Sequence, residues 1–395
     1  MSVARIVFPP LSHVGWGALD QLVPEVKRLG AKHILVITDP MLVKIGLVDQ
    51  VTSPLRQEGY SVHVYTDVVP EPPLETGEKA VAFARDGKFD LVIGVGGGSA
   101  LDLAKLAAVL AVHDGSVADY LNLTGTRTLE KKGLPKILIP TTSGTGSEVT
   151  NISVLSLETT KDVVTHDYLL ADVAIVDPQL TVSVPPRVTA ATGIDALTHA
   201  VEAYVSVNAS PTSDGLAVAA IRLISRSLRK AVANGSDKQA RIDMANGSYL
   251  AGLAFFNAGV AGVHALAYPL GGQFHIAHGE SNAVLLPYVM GYIRQSCTKR
   301  MADIFNALGG NSSFLSEVEA SYRCVEELER FVADVGIPKT LGGFGIPESA
   351  LESLTKDAVQ QKRLLARSPL PLLEADIRAI YEAAFAGTIV EPHKA

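Results

Sequence analysis

Four short β-rich runs punctuate the first half of the chain: HILVIT (33–38), SVHVYT (61–66), FDLVIGV (89–95) and KILIPTT (136–142). Helical patterns such as LVDQVTSPLRQEG and TGEKAVAFARDG lie between them. Strands alternating with helices can close only as right-handed βαβ units around a parallel sheet. Ligands of such sheets bind beyond the carboxyl ends of the strands. A strand-like stretch follows over 150–177, with a polar turn at Glu158–Asp162, and PPRVTAAT (185–192) then supplies a proline break. Almost every later pattern is helical. The 395 residues also exceed what one core usually holds. The expected fold is therefore an α/β N-terminal domain with a parallel sheet (1–184) and an all-α C-terminal domain (185–395).

Composition narrows the function. Apolar residues make up 47% and charged residues 19%, a globular balance. A net charge of −7 argues against a nucleic-acid partner, which calls for a basic patch. Cys297 and Cys324 form no CxxC pair, so neither a disulfide framework nor a zinc ribbon is expected, and a reducing, cytoplasmic setting is. The opening residues show no secretory h-region. LAGLAFFNAGVAGVHALAY (250–268) is long enough to cross a bilayer, but it lacks a flanking basic pattern and reads as a buried core helix. No membrane partner is expected.

Two loops at strand ends are suited to a ligand. GVGGGSALDLAK (94–105) opens a helix directly after a strand; its glycines admit close backbone approach, and a helix start favours an anion. Ser99 and Asp102 also form a capping pattern, and a full GxGxxG match fails at Ser99. PTTSGTGSEVT (140–150) follows another strand and is dense in hydroxyl donors. Two such loops at one sheet edge favour a diphosphate ligand. Asp39, at the end of VITDP, reads equally as a helix N-cap and as an acceptor for a ribose 2′-hydroxyl.

In the second half, GIDALTHAVEAY (193–204) sets Asp195 and His199 four apart on one face of an apolar helix. His264, His275 and His278 follow within 262–290, in mostly apolar surroundings. A buried carboxylate beside buried imidazoles is costly unless paired. A divalent cation such as Fe²⁺, Zn²⁺, Ni²⁺ or Co²⁺ suits that donor set.

Taken together, GGGSALDLAK, PTTSGTGSEVT, GIDALTHAVEAY and HGESNAVLLPYVM resemble the iron-containing (group III) alcohol dehydrogenase family over essentially the whole chain. The resemblance implies a dehydroquinate-synthase-like architecture, with a dinucleotide-binding α/β domain, a helical domain and a metal between them. It implies the metal ligands Asp195, His199, His264 and His278, with Fe²⁺ as the ion and Zn²⁺ or another divalent metal as alternatives. His275 is left with a supporting or structural place. The resemblance further implies an NAD-linked alcohol dehydrogenase, its Gly96, Gly97, Gly98 and Ser99 on the pyrophosphate and Asp102 in the same loop. Thr141, Thr142 and Thr145 would flank the cofactor, and Lys161 and Leu180 would line the nicotinamide side. A homodimer or higher homo-oligomer is expected, with a small alcohol or aldehyde as substrate. Val149, Phe255 and Tyr268 are the pocket candidates.

Two departures stand out. Tyr268 replaces a second histidine that many members carry four residues after the one matching His264, which bears on proton relay. Glu71, in VVPEPP, replaces an asparagine expected near the adenosine. The alternatives are a hydroxyacid dehydrogenase or other carbonyl reductase of the same family, a dehydroquinate-synthase-type lyase, and a non-catalytic binder. The lyase needs a basic cluster for a substrate phosphate, whereas Arg222, Arg226, Arg229, Lys230, Lys238 and Arg241 read as solvated helix faces.

Overall fold

A computed structural model of the chain describes residues 3–158 and 160–392. The chain forms two compact units, one from Phe8 to Ser183 and the other from Val184 onward. The segment ending at Val7 joins the helical unit rather than the sheet unit. It is pinned there by Asn257, whose Oδ1 accepts from Val7 N at 2.7 Å and whose Nδ2 donates to Val7 O at 3.0 Å.

The sheet unit contains β1 (Ser12–Val14), β2 (His33–Ile37), β3 (Ser61–Tyr65), β4 (Leu91–Gly96), β5 (Lys136–Pro140), β6 (Ile152–Ser156), β7 (Lys161–Thr165) and β8 (Val173–Val176). Six of them make a parallel sheet in the order β1-β8-β5-β4-β2-β3, while β6 and β7 pair as an antiparallel hairpin. The hairpin turn is tighter than the polar pattern suggested. Leu157 N already bonds Thr160 O, so Lys161 and Asp162 belong to β7. Thr159 of that turn lies outside the described residues. Helices α1 (Leu22–Leu29), α2 (Pro40–Lys44), α3 (Asp49–Gln57), α4 (Leu74–Asp86) and α5 (Gly98–Leu110) connect the early strands.

The pleat explains why the central strands read as unbroken apolar runs. Ile34 and Val36 of β2, Ile93 and Val95 of β4, and Ile137 and Ile139 of β5 feed one core. Leu35, Ile37, Val92 and Leu138 feed the core on the opposite face. The chain passes from β2 to β3 on one side and to β4 on the other. That reversal opens a crevice at the carboxyl ends of β2 and β4.

The helical unit begins with α6 (Pro186–Val205), α7 (Pro211–Ala233), α8 (Lys238–Ala258), α9 (Gly262–Phe274) and α10 (His278–Ile293), and further helices run between Thr298 and Ala386. One apolar core joins them. Gly193 of α6 is required by packing, since a Cβ there would stand 2.3 Å from Leu228 Cδ1. The apolar run 250–268 is not one helix. It breaks at Gly259 (φ 84°), and α8 and α9 meet at 106°. Among the described residues no single helix is long and apolar enough to cross a membrane. Arg241 also departs from the solvated reading. It is 2% exposed and donates to Thr189 Oγ1, Val184 O and Gly235 O.

Candidate functional site

Three helices of the second unit converge on one group of donors. Asp195, His199 and Glu202 lie at i, i+4 and i+7 along α6, and so share a face. His264 sits in the first turn of α9, and His278 opens α10. One ligand atom from each of Asp195, His199, His264 and His278 lies within 4.8 Å of the others. Asp195 Oδ1 is 3.9 Å from His199 Nε2, 4.0 Å from His264 Nε2 and 3.7 Å from His278 Nε2. Asp195, His199 and His264 are buried, and His278 is partly exposed. Burial pushes the Asp195 carboxyl up, but His199, His278, His264 and the Asn282 amide outweigh it and hold the carboxyl below its ordinary range.

Glu202 and Asn282 are the residues that sequence reasoning missed. Glu202 is fully buried; its Oε2 accepts from His264 Nδ1 and its Oε1 from Val263 N, each at 2.6 Å. A carboxylate can only accept here, so the proton sits on Nδ1 and the lone pair of His264 Nε2 faces Asp195. Asn282, one turn after His278, aims Nδ2 at Asp195 Oδ1 (2.7 Å), His264 Nε2 (3.1 Å) and His278 Nε2 (3.2 Å). An amide nitrogen has two hydrogens to give, so three acceptors converge on too few protons. Asn282 Oδ1 is itself buried with no hydrogen-bond partner among the described residues. This excess of electron pairs is what a divalent transition ion satisfies, and the donor set fits one. Both omitted residues were visible as helical spacings, D-x₃-H-x₂-E and H-x₃-N.

The remaining histidine and the pocket candidates fall in different places. His275 is exposed, caps the end of α9 in the left-handed conformation (φ 54°) and lies outside the donor group. Helix α9 stops one residue before it, so His275 and His278 share no helix face. Phe255 stacks on His199, with ring centres 4.2 Å apart and planes at 20°, and the Tyr268 ring lies 6.0 Å from that of His278. Val149 is fully buried within the hydroxyl loop, with no exposed surface.

In the sheet unit, β4 and β5 end side by side, with Gly96 opposite Pro140 and Thr141 N donating to Gly96 O at 3.0 Å. Gly97 precedes α5 as its cap residue, and no side chain caps that helix. The Ser99–Asp102 capping box is therefore not formed. Asp102 instead turns inward, pairing with Lys105 at 2.9 Å and accepting from Ser147 Oγ and Val154 N. Its oxygens hold Ser147 of the second loop and the backbone of β6. A Cβ at Gly98 would lie 2.8 Å from Thr145 Cγ2, and one at Gly97 would lie 3.6 Å from Thr142 Oγ1. Bare backbone thus meets the hydroxyl loop across a narrow cradle, which fits a diphosphate.

Asp39 caps α2. Its Oδ1 accepts from Met41 N (2.9 Å) and Leu42 N (3.0 Å), while Oδ2 lies 3.7 Å from where a Cβ on Gly96 would stand. Lys161 is buried and ion-paired with Glu71, which adopts a left-handed backbone (φ 52°). Glu71 thus engages the residue expected beside the nicotinamide ribose. Leu180 is buried in a short helical turn, Pro178–Thr181. Glu148, in the hydroxyl loop, is completely enclosed, and burial pushes its carboxyl up to about 7.

Residues 9–178 match the iron-containing alcohol dehydrogenase family, and residues 189–385 match the C-terminal region of the Fe-containing alcohol dehydrogenase family. The NAD-dependent methanol dehydrogenase of Bacillus methanolicus is 38% identical over 91% of this chain and 94% of its own length. The 1,3-propanediol dehydrogenase of Klebsiella pneumoniae is 38% identical over 95% of this chain and 97% of its own. A crystal structure of 1,3-propanediol oxidoreductase superposes with a TM-score of 0.93 at 38% identity, covering 97% of this chain and 100% of that one. With both halves matched and such relatives aligned nearly end to end, the chain belongs to the iron-containing alcohol dehydrogenase family, oxidoreductases that interconvert alcohols and carbonyl compounds.

Proposed function

We propose that this chain is an NAD-linked alcohol dehydrogenase in which Asp195, His199, His264 and His278 hold Fe²⁺, with Zn²⁺ or another divalent ion as substitute. The observation that carries the reading is the convergence of these four donors within 4.8 Å. A bound divalent ion supplies Lewis acidity to an alcohol or carbonyl oxygen. Glu202 fixes the His264 tautomer and ring, Asn282 orients Asp195, and Phe255 closes one side of His199. In the sheet unit, Gly96, Gly97, Gly98 and Ser99 take the pyrophosphate of NAD, with Thr141, Thr142 and Thr145 opposite and Lys161 and Leu180 toward the nicotinamide. Asp39 Oδ2 accepts from the adenosine ribose and repels a 2′-phosphate.

The reading includes a cytoplasmic enzyme acting as a homodimer or higher oligomer. The two buried free thiols suit a reducing compartment, and sedimentation analysis tests the assembly. A lyase is disfavoured because Arg241 is spent on Thr189 and Val184, and Arg226 on Asp243. The decisive assay follows NAD reduction with a panel of alcohols before and after chelation and Fe²⁺ restoration. Full activity after exhaustive chelation overturns the metal reading, and equal use of NADP overturns the role of Asp39.

A further inference from the structure

Arg363 lies in a short helix, Lys362–Leu365, and Arg367 in the turn that follows it, and neither guanidinium has a hydrogen bond or ion pair with any described residue. The other arginines of this unit that are not exposed are committed: Arg229 to Asp334, Arg241 to Thr189, Arg294 to Glu391 and Arg300 to Asp214. Arg367 is held firmly at its backbone, its carbonyl accepting from Val207 N at 3.1 Å. Its side chain lies across Gly259; a Cβ there would come within 2.5 Å of Arg367 Cδ and Nε and 2.6 Å of Cζ. Gly259 closes the turn after Phe255, the residue stacked on His199, and the chain then enters α9 with His264 and Tyr268. The guanidinium therefore lies beside the helical junction that builds the donor group.

Its electrostatic surroundings hold no acid that is free to pair with it. Burial lowers the Arg367 pKa and Arg363 lowers it further, while Tyr268 and Glu202 act the other way. Glu202 is the carboxylate acting on it, and both Glu202 oxygens are already taken by His264 and Val263. A half-buried guanidinium with a like charge beside it and no free acid is costly by itself and favourable once an anion arrives.

We infer that Arg367, supported by Arg363, recognises an anionic group at the far end of the substrate, so that the preferred alcohols are short ω-hydroxy acids and the matching carbonyl acids. This inference rests on the alcohol dehydrogenase reading and adds the substrate class. A planar fork suits a carboxylate, a sulfonate or a phosphate alike. The hydroxyl end faces the donor group while the anion sits on Arg367.

The test compares 3-hydroxypropanoate with 1,3-propanediol in the Fe²⁺- and NAD-loaded protein, for the wild type, Arg367→Met and Arg367→Lys. Met keeps an apolar stem over Gly259 and removes the charge, whereas Lys keeps the charge and loses the fork. The expected result is a lower KM for the acid than for the diol in the wild type. Arg367→Met should raise the acid KM roughly 10–100-fold, leave the diol KM within about twofold, and Lys should fall between. Calorimetric binding of propanoate, ethanesulfonate and ethyl phosphate separates the three anions, and any binding should weaken in Arg367→Met alongside a thermal melt that does not fall. Diol and acid KM values that shift together, or a wild type indifferent to all three anions, overturn the inference while leaving the dehydrogenase reading standing. If no alcohol is oxidised, that reading fails, and the calorimetry still decides whether Arg367 binds anions.

Discussion

The two units build their candidate sites from opposite materials. The sheet unit uses backbone: bare glycines, a helix start and a hydroxyl loop at the ends of β4 and β5. The helical unit uses side chains: one carboxylate and three imidazoles from α6, α9 and α10, aimed by Glu202 and Asn282. A backbone site is constrained by where a Cβ cannot go. A side-chain site is constrained by which buried charges must be satisfied. Substitution should therefore grade binding in the first and abolish it in the second.

The largest effect expected is in the donor group. His264→Ala and His278→Ala should purify nearly metal-free and inactive, while His275→Ala, changed on an exposed helix end, should keep its metal. Metal content per chain decides this; a metal-free His275→Ala beside a loaded His278→Ala reverses the assignment.

Next comes a pH effect confined to the sheet unit. Glu148 has an ordinary carboxyl value of 4.5, pushed to about 7 by burial. Between those values the folded chain binds more protons than the unfolded one, so stability falls as pH rises through that window. The loss is roughly 3 kcal/mol at most. Denaturant titrations from pH 5 to 8 should show that slope in the wild type and lose it in Glu148→Gln. A slope that survives the substitution refutes the assignment to Glu148.

A smaller change tests the support around the ligands. Glu202→Gln should weaken metal affinity by roughly 10–100-fold with NAD binding untouched. Equal weakening of both would mean the two sites are not built independently.

The smallest effect is on the backbone site. Gly98→Ala places a Cβ 2.8 Å from Thr145 Cγ2. The neighbour must give way, so the NAD dissociation constant should rise roughly tenfold while metal content is unchanged. Unaltered NAD affinity would remove the narrow cradle from the account.

How much of this was readable in advance followed the same divide. The βαβ alternation placed β2 to β5 because buried parallel strands are long apolar runs. It passed over β1, a three-residue strand at the sheet edge with no such run. Asp195 and His199 were legible because a helix turns spacing into a shared face. The competition between His275 and His278 was not, because His275 is itself the left-handed cap that ends α9 before His278 opens α10. The apolar run at 250–268 announced burial but not the turn at Gly259, which depends on a backbone angle rather than on hydrophobicity. Ser99 and Asp102 carried a capping signal that tertiary structure overrode, since Lys105 and Ser147 offered the carboxylate stronger partners. Arg241 matched its solvated neighbours in sequence and differed only in what α6 and α8 folded over it.

The pairing of Val7 with Asn257 has a consequence for the order of assembly during synthesis. The helical unit is discontinuous, begun by a short leading segment and resumed after the entire sheet unit has been made. As the ribosome releases the chain, the sheet unit has all of its own residues by position 183, and folding there need wait for nothing downstream. The leading segment has no such freedom: its docking partner emerges about 250 positions later, counted as 257 minus 7. Until Asn257 is made the contact that holds Val7 cannot form, and the docking that completes the helical unit joins its earliest-made residues to its later helices.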